Sequence, residues 1–175
     1  MKPSSTSRPR TALPFIRSVP SLNIVLLEPE IPPNTGNIAR LCAATGTRLH
    51  LIEPLGFRLT DKAVRRAGLD YWDSIQPVLH ASWPAFLEAE QPHRFFLLST
   101  AGARKYTEPR FAAGDYFIFG SESRGLPLEL LEQHPDRVLN IPMHLEHVRS
   151  LNLAVSAGIM LYEALRQLDT PADKS

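Results

Sequence analysis

The run Leu22-Asn23-Ile24-Val25-Leu26-Leu27 constrains this chain most. It lacks the polar alternation of a half-solvated strand and reads as a strand buried on both faces. Such strands belong to parallel sheets that helices cover on both sides. The rest of the chain repeats the theme. Prolines 29, 32 and 33 predict a loop, and 35–45 has helical spacing with Gly46 as its stop. Arg48 to Glu53 reads as an alternating second strand. A short helix over 60–68, capped by Thr60 or Asp61, and a weak strand over 75–79 follow. Ser82 caps a predicted helix to Glu90, with Pro84 tolerated in its first turn. Further strands are expected over 94–99, 115–119 and 138–141, with a helix over 127–133. A long helix over 152–168 closes the chain, its apolar residues recurring every three or four positions. Strand and helix alternate throughout, so the expected class is α/β with a mostly parallel sheet flanked by helices.

Length and composition set the bounds. The chain has 175 residues, 43% of them hydrophobic, enough for one folded domain over 21–170. Residues 1–20 read as a flexible basic tail and 171–175 as a short flexible one. No apolar stretch is long enough to span a bilayer, and the N-terminus has no apolar core of a secretory signal. Cys42 is the single cysteine, which excludes an intrachain disulfide and makes the cytoplasm the expected compartment. It sits in an apolar stripe and reads as a small buried hydrophobe, not a nucleophile. The net charge of +1 neither requires nor excludes nucleic acid. Arginine outnumbers lysine, and Arg65-Arg66 and Arg104-Lys105 form local basic pairs. The planar guanidinium suits phosphate.

Two loops in the second half look chemical. One is Gly120-Ser121-Glu122-Ser123-Arg124-Gly125-Leu126-Pro127; the other is Ile141-Pro142-Met143, leading to Ser150-Leu151-Asn152-Leu153. Each follows a predicted strand, where ligands bind in parallel α/β sheets. Several familiar sites are excluded. Leu126-Pro127 replaces the Lys-Ser/Thr pair of a triphosphate loop. Ser123 lacks the preceding glycine of a nucleophile elbow, and no dinucleotide fingerprint follows the first strand. Glu28 and Glu30, in a proline-rich loop, are weak evidence for acid-base chemistry. His144, Glu146 and His147 lack a third well-spaced ligand, so no metal is expected. What remains is Asn34-x-Gly36-x-x-x-Arg40, Gly120-x-Glu122-x-x-Gly125 and Ser150-Leu151-Asn152-Leu153. Taken singly, each has an ordinary structural reading. Asn34 could be a cap, Glu122 a partner for backbone amides, and Ser150 or Asn152 the N-cap of the last helix.

In this order the three segments resemble the SPOUT superfamily of RNA methyltransferases, and within it the SpoU branch. The likeness covers about residues 22–168 and is strongest to small single-domain members that methylate the ribose of the tRNA wobble nucleotide. The stretches Glu28–Asn37 and Arg65–Tyr71 also match that group. The resemblance implies a deep trefoil knot in the C-terminal third. It implies S-adenosyl-L-methionine as donor, S-adenosyl-L-homocysteine as product, and a cofactor bent among the loops holding Leu98, Thr100, Gly102, Gly120, Gly125, Ile141, Met143, Ser150 and Leu151. Leu98, Ile141 and Leu151 suit an apolar adenine slot. By the same resemblance Arg40 lies nearest the chemistry, with Asn34, Glu122, Ser150 and Asn152 around it. Its role is either to orient a substrate phosphate and stabilise an alkoxide, or to accept the hydroxyl proton. The implied partners are a second copy of the chain, packed through the last helix, and the anticodon stem-loop of leucine tRNAs, methylated at cytidine or uridine 34. Arg65, Arg66, Arg149 and Arg166 are expected at phosphates, and Tyr162 either stacks on an unpaired base or packs in the core. The same chemistry on another RNA, and a non-catalytic knotted RNA-binding protein, stay open.

Overall fold

The computed structural model describes Thr11, residues 22–59 and residues 75–169. Seven strands form one sheet in the order β3-β2-β1-β6-β4-β7-β5, and every pairing is parallel. They are β1 (Asn23–Leu27), β2 (Arg48–Ile52), β3 (Val78–His80), β4 (Phe95–Leu98), β5 (Arg104–Lys105), β6 (Tyr116–Phe119) and β7 (Val138–Asn140). The helices are α1 (Pro32–Thr45), α2 (Trp83–Glu90), α3 (Leu128–Gln133) and α4 (Leu153–Asp169). The expected α/β class is therefore observed. The tails, the expected helix over 60–68 and the pair Arg65-Arg66 lie outside the described residues.

Alternation along β1 builds two cores. Ile24 and Leu26 face α1 and α4, meeting Ile38, Cys42, Met160 and Leu161. Val25 and Leu27 face the opposite side, meeting Phe86 of α2 and Leu130 of α3. All five β1 residues are buried, as a central strand covered on both faces requires. Cys42 lies in the first core, and burial pushes its thiol up to about 12, which leaves it protonated and inert.

Several local expectations are corrected. Pro32 and Pro33 do not extend the loop; they form the first turn of α1, where the missing N–H costs nothing. Gly46 ends that helix as expected, in the left-handed region at φ 63°, with its N–H donating to Cys42. Ser82 caps α2 by accepting from the Ala85 N–H at 3.3 Å. β2 is not half-solvated: four of its five residues are buried. Arg104-Lys105, read as a basic surface pair, forms the edge strand β5, and the Arg104 guanidinium donates to the Asp136 carbonyl at 2.7 Å. Two residues carry no periodicity, so only pairing with β7 reveals that strand.

Buried polar groups on the α2 side form a connected chain. The Asn23 amide donates to the Gly114 and Asp115 carbonyls, so its oxygen accepts from His50 Nε2 at 3.3 Å. His50 Nδ1 therefore accepts, and His80 Nε2 donates to it at 3.1 Å. Burial pushes His50 down to about 4 and lowers His80, so both rings are neutral near pH 7. Glu90 stands 3.8 and 3.9 Å from the two nitrogens. These three are the one set among the described residues with donor atoms close enough for a metal. The ring centroids, however, are only 5.4 Å apart across the 3.1 Å gap, so the nitrogens face each other along the line between the rings. That is an N–H···N bond, and both rings must swing before an ion is bound.

Among the described residues no helix is long and apolar enough to cross a membrane. Phe117 is fully buried, edge-on to Phe111 and stacked with Phe96. Phe117→Ala is expected to cost about 3–5 kcal/mol, read as a lower urea midpoint at unchanged slope.

Candidate functional site

The strand order brings together loops that are far apart in sequence. β1, β6, β4 and β7 are successive neighbours and all parallel, so their following loops leave the same edge side by side. Those loops begin at Glu28, Gly120, Ser99 and Ile141 and enclose a cavity of about 970 Å³. Leu98, Thr100, Gly120, Gly125, Ile141, Met143, Ser150 and Leu151 all line it, as do Asn34, Glu122, Asn152 and Arg149.

Four expected residues fall elsewhere. Gly102 does not line the cavity. It lies against β7, where a Cβ would come within 2.9 Å of the Leu139 carbonyl carbon, so glycine there serves strand packing. Arg40 is exposed on α1 outside the lining. Arg166 is exposed and donates twice to Glu163, both bonds at 2.9 Å. Tyr162 is 52% exposed, which removes the core-packing reading for it.

The 120–125 loop is a tight, closed turn. Ser121 and Gly125 form an antiparallel bridge, and Gly125 has φ +70°. A Cβ on Gly120 would sit 2.0 Å from the Gly125 carbonyl carbon, so no other residue fits without opening the turn. Its tip carries Glu122, whose carboxylate accepts from the Glu30 N–H at 2.7 Å, the Ile31 N–H at 3.2 Å and the Asn34 side-chain amide at 3.0 Å. Three N–H bonds commit most of this carboxylate's acceptor capacity to bracing the turn against α1.

Asn34 extends the connection. Its oxygen accepts from the Asn152 amide at 2.9 Å, and the Asn152 oxygen accepts from the Ala154 and Val155 N–H groups at 2.9 and 3.3 Å. Each amide orientation follows from its ends, since Glu122 only accepts and backbone N–H only donates. The structural readings of Glu122 and Asn152, as a partner for amides and an N-cap, therefore hold. The same bonds join all three sequence segments at one cavity wall.

Glu28, Glu30 and Ser123 were missed as site residues. Glu30 accepts from the Ser123 N–H at 2.8 Å and its hydroxyl at 2.7 Å, and Glu28 accepts from Arg124 at 2.9 Å. Two acids in one loop signalled no chemistry because their work is to hold a second loop. The signal available was the wider stretch Glu28–Asn37, which carried the resemblance.

The cavity suits an adenosine-bearing cofactor. Leu98, Leu126, Ile141 and Leu151 supply apolar lining, Gly120 and Gly125 line it without side chains, and Asn34, Thr100, Arg149 and Asn152 add polar groups. No lysine cradle for a triphosphate is present in this lining. S-adenosyl-L-methionine, with an apolar-seated base and one positive sulfonium, fits this chemistry.

Asn34→Asp would place a second carboxylate 3.0 Å from Glu122. It is expected to lower stability and cofactor binding at neutral pH by about 1–3 kcal/mol, and to recover partly in acid as the pair shares a proton. Gly120→Ala should abolish cofactor binding, because its added carbon would meet the Gly125 carbonyl carbon at 2.0 Å. Calorimetric titration and thermal melts across pH measure both.

Comparison with known proteins agrees with this geometry. The SpoU rRNA Methylase family matches residues 21–162. A tRNA (cytidine(34)-2'-O)-methyltransferase of Saccharophagus degradans is 57% identical over 155 residues, covering 87% of this chain and 99% of its own. A solved structure concerned with 2-OH methylation of C/U34 on tRNA is 53% identical with a TM-score of 0.79, covering 84% of this chain and 95% of that one. An AdoMet-bound rRNA methyltransferase from Sinorhizobium meliloti is 26% identical with a TM-score of 0.75, covering 86% of this chain and 57% of that one. A seven-stranded parallel sheet, three motif segments joined by one hydrogen-bond chain, and a family match over most of the sequence agree: the chain belongs to the SpoU rRNA Methylase family.

Proposed function

We propose that the protein is an S-adenosyl-L-methionine-dependent tRNA 2'-O-methyltransferase acting on the ribose of cytidine or uridine 34 in leucine tRNAs, working in the cytoplasm. The observation that carries the chemistry is the Glu122–Asn34–Asn152 chain at the cavity wall, which brings the three segments together. The substrate choice rests on relatives that align over nearly their whole length and are named for that nucleotide.

When bound, the cofactor supplies an activated methyl group on a sulfonium. The protein's share is positioning, which accounts for most of the acceleration open to such a reaction. Leu98, Ile141 and Leu151 seat the base, and the 120–125 turn presents backbone to the ligand. Arg149, exposed at the cavity and unlike the scaffold carboxylates, meets RNA phosphate. Arg40 orients a phosphate and stabilises the developing alkoxide, since a guanidinium already carries its proton and has no acceptor for another. The hydroxyl proton passes to solvent.

The working unit is a homodimer. α4 exposes Val155 at 50% and Tyr162 at 52%, one heptad apart on one face. At Gly158, between them, an added Cβ would meet nothing within 4 Å, so a second backbone has room to approach. Arg40 lies outside its own chain's cavity lining. A dimer brings Arg40 of the partner subunit to each cavity. We further propose that the chain beyond β7 forms the trefoil knot, a reading supported by the family match over residues 21–162. A disulfide-circularised, denatured chain would then migrate as a knotted ring, faster than an unknotted one of equal length.

Labelled methyl transfer to tRNA from a strain lacking this gene tests the function. Label at the first anticodon position is expected; transfer only to ribosomal RNA, or to none, overturns it. Arg40→Lys should lower the rate at least about tenfold, and near-normal activity would refute the orienting role. Mixing Arg40→Ala with Asn152→Ala subunits should restore part of the activity if sites are shared, and none if they are not.

A further inference from the structure

We infer that Glu30 is a positioning residue for methyl transfer: its carboxylate latches the 120–125 turn to the chain entering α1, fixing the turn that presents backbone to the cofactor. This rests on the cofactor reading proposed above. The latch is reciprocal. Glu30 takes the N–H and hydroxyl of Ser123 through its two carboxylate oxygens, at 2.8 and 2.7 Å, while its own N–H donates to Glu122 at 2.7 Å. Neighbouring residues of two loops thus exchange carboxylate-to-amide bonds in both directions. Such charge-assisted bonds, paired and anchored on backbone, are stronger than a single exposed ion pair.

Glu30 is also fixed from behind. The Gly56 N–H donates to the Pro29 carbonyl at 2.9 Å, and a Cβ on Gly56 would come within 2.8 Å of the Glu30 Cα. The loop is therefore a backed support against which the turn is held. Two residues after Glu30 the chain enters α1, and Arg40 lies six residues beyond Asn34, about 9 Å along the helix axis. The strands beneath are already joined by the β1–β6 ladder from Asn23 to Leu26. The fold therefore does not need this latch; the turn's position does.

Ser123's two bonds hold the Glu30 carboxyl below its ordinary value, its hydroxyl contributing most. A lowered acid pKa means the latch is present above the unfolded-state value and is lost as pH falls through the folded one.

The test compares S-adenosyl-L-methionine binding by the full-length protein and its variants. Glu30→Gln keeps the shape but not the charge, so its amide can bond Ser123 only through one oxygen and one N–H without charge assistance. It should weaken binding about tenfold with the melting temperature nearly unchanged. Ser123→Ala should weaken it less and move its acid loss to higher pH. The double variant should match Glu30→Gln alone, because both changes remove one latch. Equal affinity of Glu30→Gln and the unaltered protein, or additive effects, overturns the inference alone. No binding by the unaltered protein overturns the cofactor reading and the inference with it. A large fall in melting temperature in proportion to lost binding assigns Glu30 to folding instead.

Discussion

The three N–H bonds gathered by the Glu122 carboxylate are the contact on which the site depends. They come from two backbone amides of the loop after β1 and from the Asn34 side chain on α1. Asn34 in turn holds Asn152, which caps α4. One acid at the tip of a tight turn therefore ties together segments 88 and 118 residues apart along the chain. A carboxylate alone at a cavity mouth would repel a neighbouring acid and drift with its loop. Saturated with N–H donors, it becomes a rigid node.

This changes how the polar residues of the site divide their work. Glu30, Glu122, Asn34 and Asn152 bond to one another, to Ser123 or to backbone, Glu28 holds Arg124, and together they shape the cavity. The surfaces left for a ligand are apolar side chains, glycine backbone and a few polar side chains such as Thr100, Arg149 and Ser150. A reaction whose donor arrives already activated calls for that division, because a preorganised wall is worth more than another acid or base.

The sheet makes the division possible. Parallel strands send successive loops to one edge, and the order β1-β6-β4-β7 sets four of them side by side. Helices on both faces keep that edge level: α1 and α4 on one core, α2 and α3 on the other. The same burial that makes β1 continuous in sequence places Glu28 and Glu30 against the 120–125 turn.

Some of this was legible in the residues and some was not. The apolar run at β1, the Gly46 stop and the Ser82 cap are local effects, and their chemistry is written in a few adjacent side chains. The family's motifs carried the cavity-lining residues, including Leu98, Ile141 and Leu151. Two-residue β5, the start of α1 at Pro32, and Gly102's packing on β7 were not legible, because each depends on a partner distant in the chain. The residues alone specify the class of fold and most of the segments that line the cavity. It takes the folded chain to bring Glu30 onto Ser123, to give Glu122 its three N–H bonds and to leave Arg40 outside its own cavity lining. Periodicity reports which face a residue turns inward, but hydrogen bonds between loops depend on strand order, which no local pattern encodes.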